Sequence, residues 1–238
     1  MSTLVRSIRP HLAVAALACL TLAGSPALAQ SVNFDFKTLN PASSSFVTCT
    51  TTDRCATAAG GALSFTAGGL TLAASGWTRS GTGAPVAAIA MQDSNGGSTW
   101  AGLGVYPAGA YTSSQDNIQN NDVLKLDFGS RVVTLKDLTL YNHGATFDTT
   151  GKWGFSLTAP TAGSTPQQFS FTANGAIDIP DATGSTFYFY GLSDASNRTF
   201  YLSSMNVTAV PEPGTLGLLG AGLAAVSFVS RRRRAAAA

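Results

Sequence analysis

The chain has 238 residues, of which 45% are hydrophobic and only 11% are charged, and its formal net charge is +2. The positive sign comes from the two termini: without Arg6, Arg9, the four arginines at 231–234 and Glu212, 8 basic and 11 acidic residues remain, a net charge of about −3. Nucleic-acid binding needs clustered Lys and Arg, so this composition argues against it.

The N-terminal 29 residues are predicted to be a secretory signal peptide. Two arginines precede a largely apolar run at residues 11–22, and Ala27 and Ala29 form an A-x-A cleavage site. We therefore expect the exported chain to begin at Gln30. Removal of the signal peptide and of the C-terminal tail leaves residues 30–209, a size suited to a single domain with one hydrophobic core.

Two cysteines remain in the exported chain, Cys49 and Cys55, because Cys19 lies in the signal peptide. An even pair this close in an oxidising compartment predicts a local disulfide. Closing so short a loop stabilises the fold by roughly 2 kcal/mol in the chain-entropy model. A zinc site is the less favoured alternative, because zinc needs more ligands and His143 is remote in sequence.

Short runs of alternating apolar residues, separated by Gly, Pro and Asn, predict about ten β-strands. The clearest is residues 122–128, in which Leu124, Leu126 and Phe128 share one face. Gly68-Gly69 predicts the turn of a hairpin. Many short strands at this spacing indicate an all-β fold, and we predict an antiparallel β-sandwich of jelly-roll type.

The C-terminal tail, residues 210–238, has three parts in a fixed order. A Pro-Glu-Pro motif forms a rigid, extended lead-in, because each proline fixes its own φ and disfavours helix in the preceding residue. Residues 214–230 carry no charge and predict a transmembrane helix of marginal length, since a full span needs roughly 20 apolar residues. Four arginines then stop transfer and hold the C-terminus in the cytoplasm. The residues of the motif and of the arginine cluster are Pro211, Glu212, Pro213, Arg231, Arg232, Arg233 and Arg234.

This tail resembles the PEP-CTERM sorting signal of Gram-negative bacteria. The resemblance implies export, transient attachment to the inner membrane by the helix, and cleavage near the Pro-Glu-Pro motif by exosortase, a membrane transpeptidase. It also implies association with exopolysaccharide or a biofilm matrix. The logic parallels that of a lipid-anchor signal whose hydrophobic tail is removed on processing. An ordinary single-pass anchor is the alternative.

A polar segment, QDNIQNND at residues 115–122, precedes the clearest strand. With Gly-Leu-Gly-Val upstream, it resembles a pattern in many PEP-CTERM exoproteins, in which an Asp-Asn loop leads to an acidic residue that opens a Leu-x-Leu-x-Phe strand. Asp116, Asn117 and Asp122 occupy these positions, and Asp122 stands where glutamate is expected. Calcium takes six to eight oxygen ligands, so the segment predicts a structural Ca²⁺ site. The alternative is a solvated turn whose side chains cap their own backbone.

Several aromatic residues predict a carbohydrate-binding surface. Trp77, Trp100 and Tyr106 lie in or beside loops rich in Gly and Ser, and the apolar face of a ring suits the C–H face of a pyranose. The alternative is packing in the core or at its rim. Phe and Tyr alternate at residues 187–190, which predicts a central strand with Phe packed inward and Tyr outward.

Catalysis is the less favoured interpretation. The exported body has no glutamate and one histidine, His143, so acid–base chemistry would depend on aspartates. No G-x-S-x-G motif accompanies its serines, and no spacing marks a carboxylate pair for glycoside hydrolysis. We therefore expect a non-catalytic envelope or matrix protein, with no cofactor beyond the structural Ca²⁺. The alternatives are a calcium-dependent carbohydrate-binding module and, more distantly, a secreted hydrolase with an aspartate pair.

Overall fold

The structure is a computed structural model of the chain. It describes residues 29–42, 47–51, 54–79, 83–93, 102–106, 117–142, 151–171, 176–192, 199–210 and 213–237. Contacts within the chain group Gln30–Val210 into one compact unit, which we call the β-domain.

Within the described residues the chain forms β-strands and one helix, and the pairings between strands are antiparallel. The predicted antiparallel all-β class is therefore confirmed. The elements are β1 (Ser31–Asp35), β2 (Val47–Thr51), β3 (Arg54–Thr57), β4 (Ala62–Ala67), β5 (Leu70–Arg79), β6 (Pro85–Asp93), β7 (Gly102–Tyr106), β8 (Asp122–Asp127), β9 (Val133–Asn142), β10 (Lys152–Ser156), β11 (Gln167–Ser170), β12 (Ala176–Gly184), β13 (Thr186–Gly191), β14 (Phe200–Ala209) and α1 (Pro213–Ala237).

The strands form one curled sheet with the order β11-β10-β13-β8-β5-β6-β7-β14-β9-β12. Strands β1 and β4 extend the pairing of β14 and β5, and β3 pairs with β2 and β6. Rings from distant parts of this order meet: the centroids of Phe34 and Phe128 lie 5.8 Å apart, and those of Trp153 and Phe200 lie 6.4 Å apart. The sheet therefore curls around a shared core.

The core is built by the alternation that the sequence shows. Leu124 and Leu126 are fully buried and Phe128 is 4% exposed, as predicted for one face of β8. Phe187 and Phe189 of β13 also lie in this core. Trp153 is its largest fully buried residue, and its ring stacks on Phe169 with centroids 5.1 Å apart.

Two glycine positions explain local geometry. The predicted hairpin turn joins β4 to β5, and both Gly68 and Gly69 have positive φ, 53° and 78°, as a type I′ turn requires. Gly102 opens β7 with φ of 152°, and a Cβ there would lie 2.5 Å from the carbonyl oxygen of Leu202. Glycine thus lets β7 approach β14.

The C-terminal helix begins at Pro213, where a proline suits the first helical position because its missing N–H is not needed there. It runs through the arginine cluster to Ala237. The predicted helix is therefore confirmed, whereas its membrane-spanning character is not. Among the described residues, no helix combines the length and the apolar character needed to traverse a bilayer.

Strands β2 and β3 place Cys49 directly opposite Cys55. Opposed residues of an antiparallel pair have Cα atoms about 4.5–5.5 Å apart, which lies within the range that a disulfide requires. The side chain of Cys49 lies outside the described part of the structure, so the bridge stays a prediction.

We expect exported protein to contain a Cys49–Cys55 disulfide, because the backbone register already sets the spacing. Peptide mapping without reductant should yield the linked peptides. The double variant Cys49→Ser/Cys55→Ser should lose roughly 2 kcal/mol of unfolding free energy in urea. As a control, reductant should destabilise the unaltered protein and leave the double variant unchanged. Free thiols at both positions in unreduced protein would contradict the prediction.

Candidate functional site

One face of the curled sheet carries aromatic side chains outside the main core. Tyr190 of β13 lies opposite Val123 of β8, which in turn lies opposite Trp77 of β5. Tyr188 lies beside them and opposite Lys125. The alternation of β13 forces this arrangement, because Phe187 and Phe189 point into the core and the tyrosines point away from it. We call the set Trp77, Val123, Tyr188 and Tyr190 the aromatic face.

Trp77 is the member of the aromatic face that solvent reaches. Its ring is half-buried, and its centroid lies 5.9 Å from that of Tyr188 with a tilt of 44° between the rings. Val123, Tyr188 and Tyr190 are buried and form a small cluster of their own. Burial raises the pKa of both tyrosine hydroxyls, so both stay neutral at physiological pH.

A turn at residues 161–166 covers one side of the aromatic face. A Cβ on Gly154 would lie 2.6 Å from Cγ of Pro166 and 3.1 Å from Cβ of Tyr190, so glycine allows the turn to sit close to the sheet. Arg79 reaches the same turn, because its Nη1 donates a hydrogen bond to the Ser164 carbonyl at 3.1 Å. This cover explains why Tyr190 is buried although it lies outside the core.

An ion pair lies beside the aromatic face. Lys125 forms an ion pair with Asp127 of the same strand, with 2.8 Å between Nζ and Oδ2. Lys152 is exposed in β10, on the same side of the sheet as Gly154. An aromatic ring can stack on a sugar ring, and an ammonium group close by, such as that of Lys125, can donate hydrogen bonds to the sugar oxygens.

Asp122 opens β8 as a buried carboxyl group, 1% exposed. Its Oδ2 accepts a hydrogen bond from the Gln119 N–H at 3.2 Å, and its own N–H donates to the Gln119 carbonyl at 2.8 Å. Asn121 adopts a left-handed conformation with φ of 67° to close this turn. The N–H of Asn121 then donates to the Gly191 carbonyl at 3.1 Å, which fixes the segment on β13.

The environment of Asp122 favours its neutral form. Burial raises its pKa to about 7, although the Gln119 N–H and the Thr78 hydroxyl, which bond to the carboxylate, act in the opposite direction. Asn117 is also buried, 2% exposed, and its Oδ1 has no hydrogen-bond partner among the described residues. The raised pKa means that Asp122 retains its proton more readily than an ordinary aspartate, whereas binding of a cation would require Asp122 to be an ionised carboxylate.

The tail helix presents apolar side chains to its surroundings. Leu223 is 61% exposed and Phe228 is 60% exposed. Two serine hydroxyls are satisfied within the helix, because Ser227 donates to the Leu223 carbonyl at 2.8 Å and Ser230 donates to the Ser227 carbonyl at 2.9 Å. The guanidinium of Arg232 lies 5.0 Å from the centroid of the Phe228 ring.

Comparison with known proteins identifies this tail. A protein-family model described as the PEP-CTERM protein-sorting motif matches residues 209–234. The chain carries a PEP-CTERM sorting motif. The predicted PEP-CTERM sorting signal is thereby confirmed. The motif implies export to the cell envelope or beyond and processing by an exosortase, a membrane enzyme. The comparisons with curated proteins and with solved structures gave no match.

The PEP-CTERM tail and the cleavage site are described only in part. Ala29, Gln30 and Pro213 lie within the described residues, and Arg232 and Arg233 are exposed on the helix. The signal-peptide cleavage site stays a prediction. The processing residues that lie outside the described part are Ala27, Pro211, Glu212 and, for their side chains, Arg231 and Arg234.

The predicted ligand-binding residues do not form one site among the described residues. Trp77 lies on the aromatic face, whereas Tyr106 is 1% exposed and packs with Ile89 and Met91. The ring of Tyr106 therefore offers no face to a ligand. Trp100 lies outside the described residues. Tyr188 was not predicted as a site residue, although the alternation in β13 signals its outward direction.

The predicted calcium ligands are divided in the same way. Asn117 and Asp122 lie in one buried segment, and Asp116 lies outside the described residues. Within the described part of the chain, no three His, Cys, Asp or Glu residues are grouped to hold a metal ion. The hydrogen bond from the Gln119 N–H to Asp122 is the backbone capping that the alternative interpretation describes, but Asn117 and Asp122 are buried while the residues between them at 119–121 are half-buried. The calcium site stays a prediction.

Asp122 should make the unfolding free energy depend on pH. Between pH 3.8 and about 7 the folded protein holds a proton that the unfolded chain releases, so stability falls as pH rises and levels off above that interval. The loss amounts to at most about 4 kcal/mol. Asp122→Asn mimics the protonated acid, so it should remove this dependence and stabilise the protein at pH 8. Urea unfolding at pH 5 and pH 8 with a chelator measures both effects.

Asp127→Asn provides a matched control on the same strand. The pKa of Asp127 is lowered overall, because its bonds to Lys125 and to the Gly129 N–H outweigh burial. Its removal should therefore destabilise the protein at pH 8, opposite to the effect at Asp122. An Asp122→Asn variant that is less stable than the unaltered protein at pH 8 would contradict the assigned protonation.

Proposed function

We propose that this chain is an exported, non-catalytic protein of the cell envelope or extracellular matrix, which its PEP-CTERM tail sorts and whose β-domain associates with exopolysaccharide. The observation that supports export and sorting is the motif match at residues 209–234. A sorting motif gives the destination of the chain, so the role of the β-domain is argued from the aromatic face.

The aromatic face supports association with a polysaccharide. A sheet presents a broad surface, and Trp77 offers half-buried ring area beside Tyr188. Polymers of sugars have repeated C–H faces and hydroxyl groups, which suit the Trp77 ring and the ammonium group of Lys125 on the neighbouring strand. Weak contacts repeated along a polymer give useful avidity without a deep pocket.

Three of the described carboxylates have partners that suit a structural role, which supports a non-catalytic protein. Asp127 is held by Lys125, and Asp181 forms an ion pair with Lys136 at 2.5 Å. Asp122 is buried and bonded to Gln119. A secreted hydrolase that uses an aspartate pair is the alternative from another class, and release of reducing ends from the host polysaccharide would favour it.

We extend the proposal to the fold and to the membrane. The curled sheet is compatible with a β-sandwich of jelly-roll type, because rings from separate parts of the strand order meet across the core. Transient attachment to the inner membrane before processing is supported by the uncharged residues 214–230 and the arginines that follow them.

The alternative function for the β-domain is calcium-dependent sugar binding through residues 116–122.

Trp77→Ala should weaken binding to the host exopolysaccharide by about tenfold, because truncation of an aromatic anchor typically costs 1–2 kcal/mol or more. Affinity electrophoresis of the β-domain in gels that contain the polymer measures the change. Trp77→Phe retains a ring and should bind at an intermediate level. Val86→Ala, an exposed valine of β6, is the control and should bind as the unaltered domain does. Equal migration of all four proteins in the gel would contradict the proposal.

Deletion of residues 210–238 should send the rest of the protein into the medium unattached, because the sorting motif is then lost. Cell fractionation followed by immunoblotting measures the distribution. Full-length Trp77→Ala is the control: it should be sorted normally, since the aromatic face plays no part in sorting. A truncated protein that stays on the cell as the full-length protein does would contradict the sorting role of the tail.

A further inference from the structure

Both ends of the β-domain lie side by side at one end of the fold. Strand β1 pairs with β14 so that Ser31 lies opposite Thr208. The Gln30 carbonyl accepts a hydrogen bond from the Ala209 N–H at 3.2 Å. The residue predicted to follow signal-peptide cleavage therefore contacts the residue at which the sorting motif begins.

The sorting motif follows the last strand without a linker. Strand β14 ends at Ala209, and the N–H of Val210 still donates to the Val132 carbonyl at 3.0 Å. The Pro-Glu-Pro motif comes next, and three fully extended residues reach at most about 11 Å. While β14 is paired, an enzyme that binds this motif must come within that distance of Val210, which is paired with Val132.

The surface at this position has a distinct character. Val132 is 43% exposed and Val210 is 40% exposed, and the hydrogen bond between their backbones brings them together. The Gly68-Gly69 turn lies beside Gln30, because a Cβ on Gly68 would lie 3.4 Å from Nε2 of Gln30. We call Gln30, Val132 and Val210, with this turn, the terminal end. The two valines make its centre apolar, and none of its residues carries a carboxylate.

We propose that the membrane-embedded processing enzyme contacts the terminal end directly, so that the folded β-domain is part of the substrate that it recognises. This inference rests on the proposed exosortase processing. The exposed valines flank the point where the motif leaves the sheet, and an apolar surface on the enzyme would bury them. The competing account is detachment of the last residues of β14, which breaks the hydrogen bonds of Ala209 and Val210.

The two accounts predict opposite effects of a linker. Ten Gly and Ser residues inserted between Val210 and Pro211 separate the motif from the terminal end without altering the β-domain. If the enzyme uses the contact, the insertion should slow processing by roughly fivefold or more. If detachment limits processing, the insertion should accelerate it, because the motif is then accessible without opening the sheet.

The experiment uses the full-length chain in cells that contain the host exosortase, with conversion to the shortened form followed by pulse-chase. Val132→Asp should slow conversion as the linker does, and it should have no further effect in the chain that carries the linker. Val86→Asp changes an exposed valine of β6, 59% exposed, near the opposite end of β5, and should convert at the unaltered rate.

Two results would overturn the inference. Equal or faster conversion of the chain with the linker removes the need for the contact, while the sorting proposal stands because the unaltered chain is shortened. Absence of any shortened form of the unaltered chain overturns the sorting proposal and this inference with it. The linker variant keeps the test decisive even where Val132→Asp impairs folding.

Discussion

The pairing of β14 with its neighbours is the interaction on which the fold depends. This strand joins β9 along its full length and meets β1 and β7 on its other edge. Phe200, Leu202, Met205 and Val207 bury their side chains from it. Because β14 is the last described strand of the β-domain, the core is completed only when the segment just before the sorting tail has been exported.

Local sequence patterns predicted the features that depend on neighbouring residues. The alternation in β8 assigned Leu124 and Leu126 to the core, and the alternation in β13 assigned the phenylalanines inward. The Gly68-Gly69 turn and the C-terminal helix were predicted on the same basis. The sorting motif was recognised because its parts are contiguous in the chain, so the motif is complete in the sequence.

Local patterns could not predict the features that depend on pairing between strands distant in the sequence. Tyr106 is buried because β7 lies against β6, where Ile89 and Met91 supply its contacts. Trp77 meets Tyr188 only because β8 lies between β5 and β13. The raised pKa of Asp122 likewise depends on a segment that packs against Gly191, where a Cβ would lie 1.9 Å from the Gln119 carbonyl oxygen. Desolvation is a property of the assembled fold and has no local sequence signal.

The adjacency of Gln30 and Ala209 gives the β-domain a modular character. Adjacent strands of a sheet lie about 5 Å apart, so the two ends fit the gap between neighbouring strands of a host hairpin. Such a unit can be grafted into a surface loop of another exported protein, or its ends can be joined and new ones opened elsewhere, without breaking the sheet. The same arrangement that suits a tethered precursor thus suits rearrangement by gene fusion.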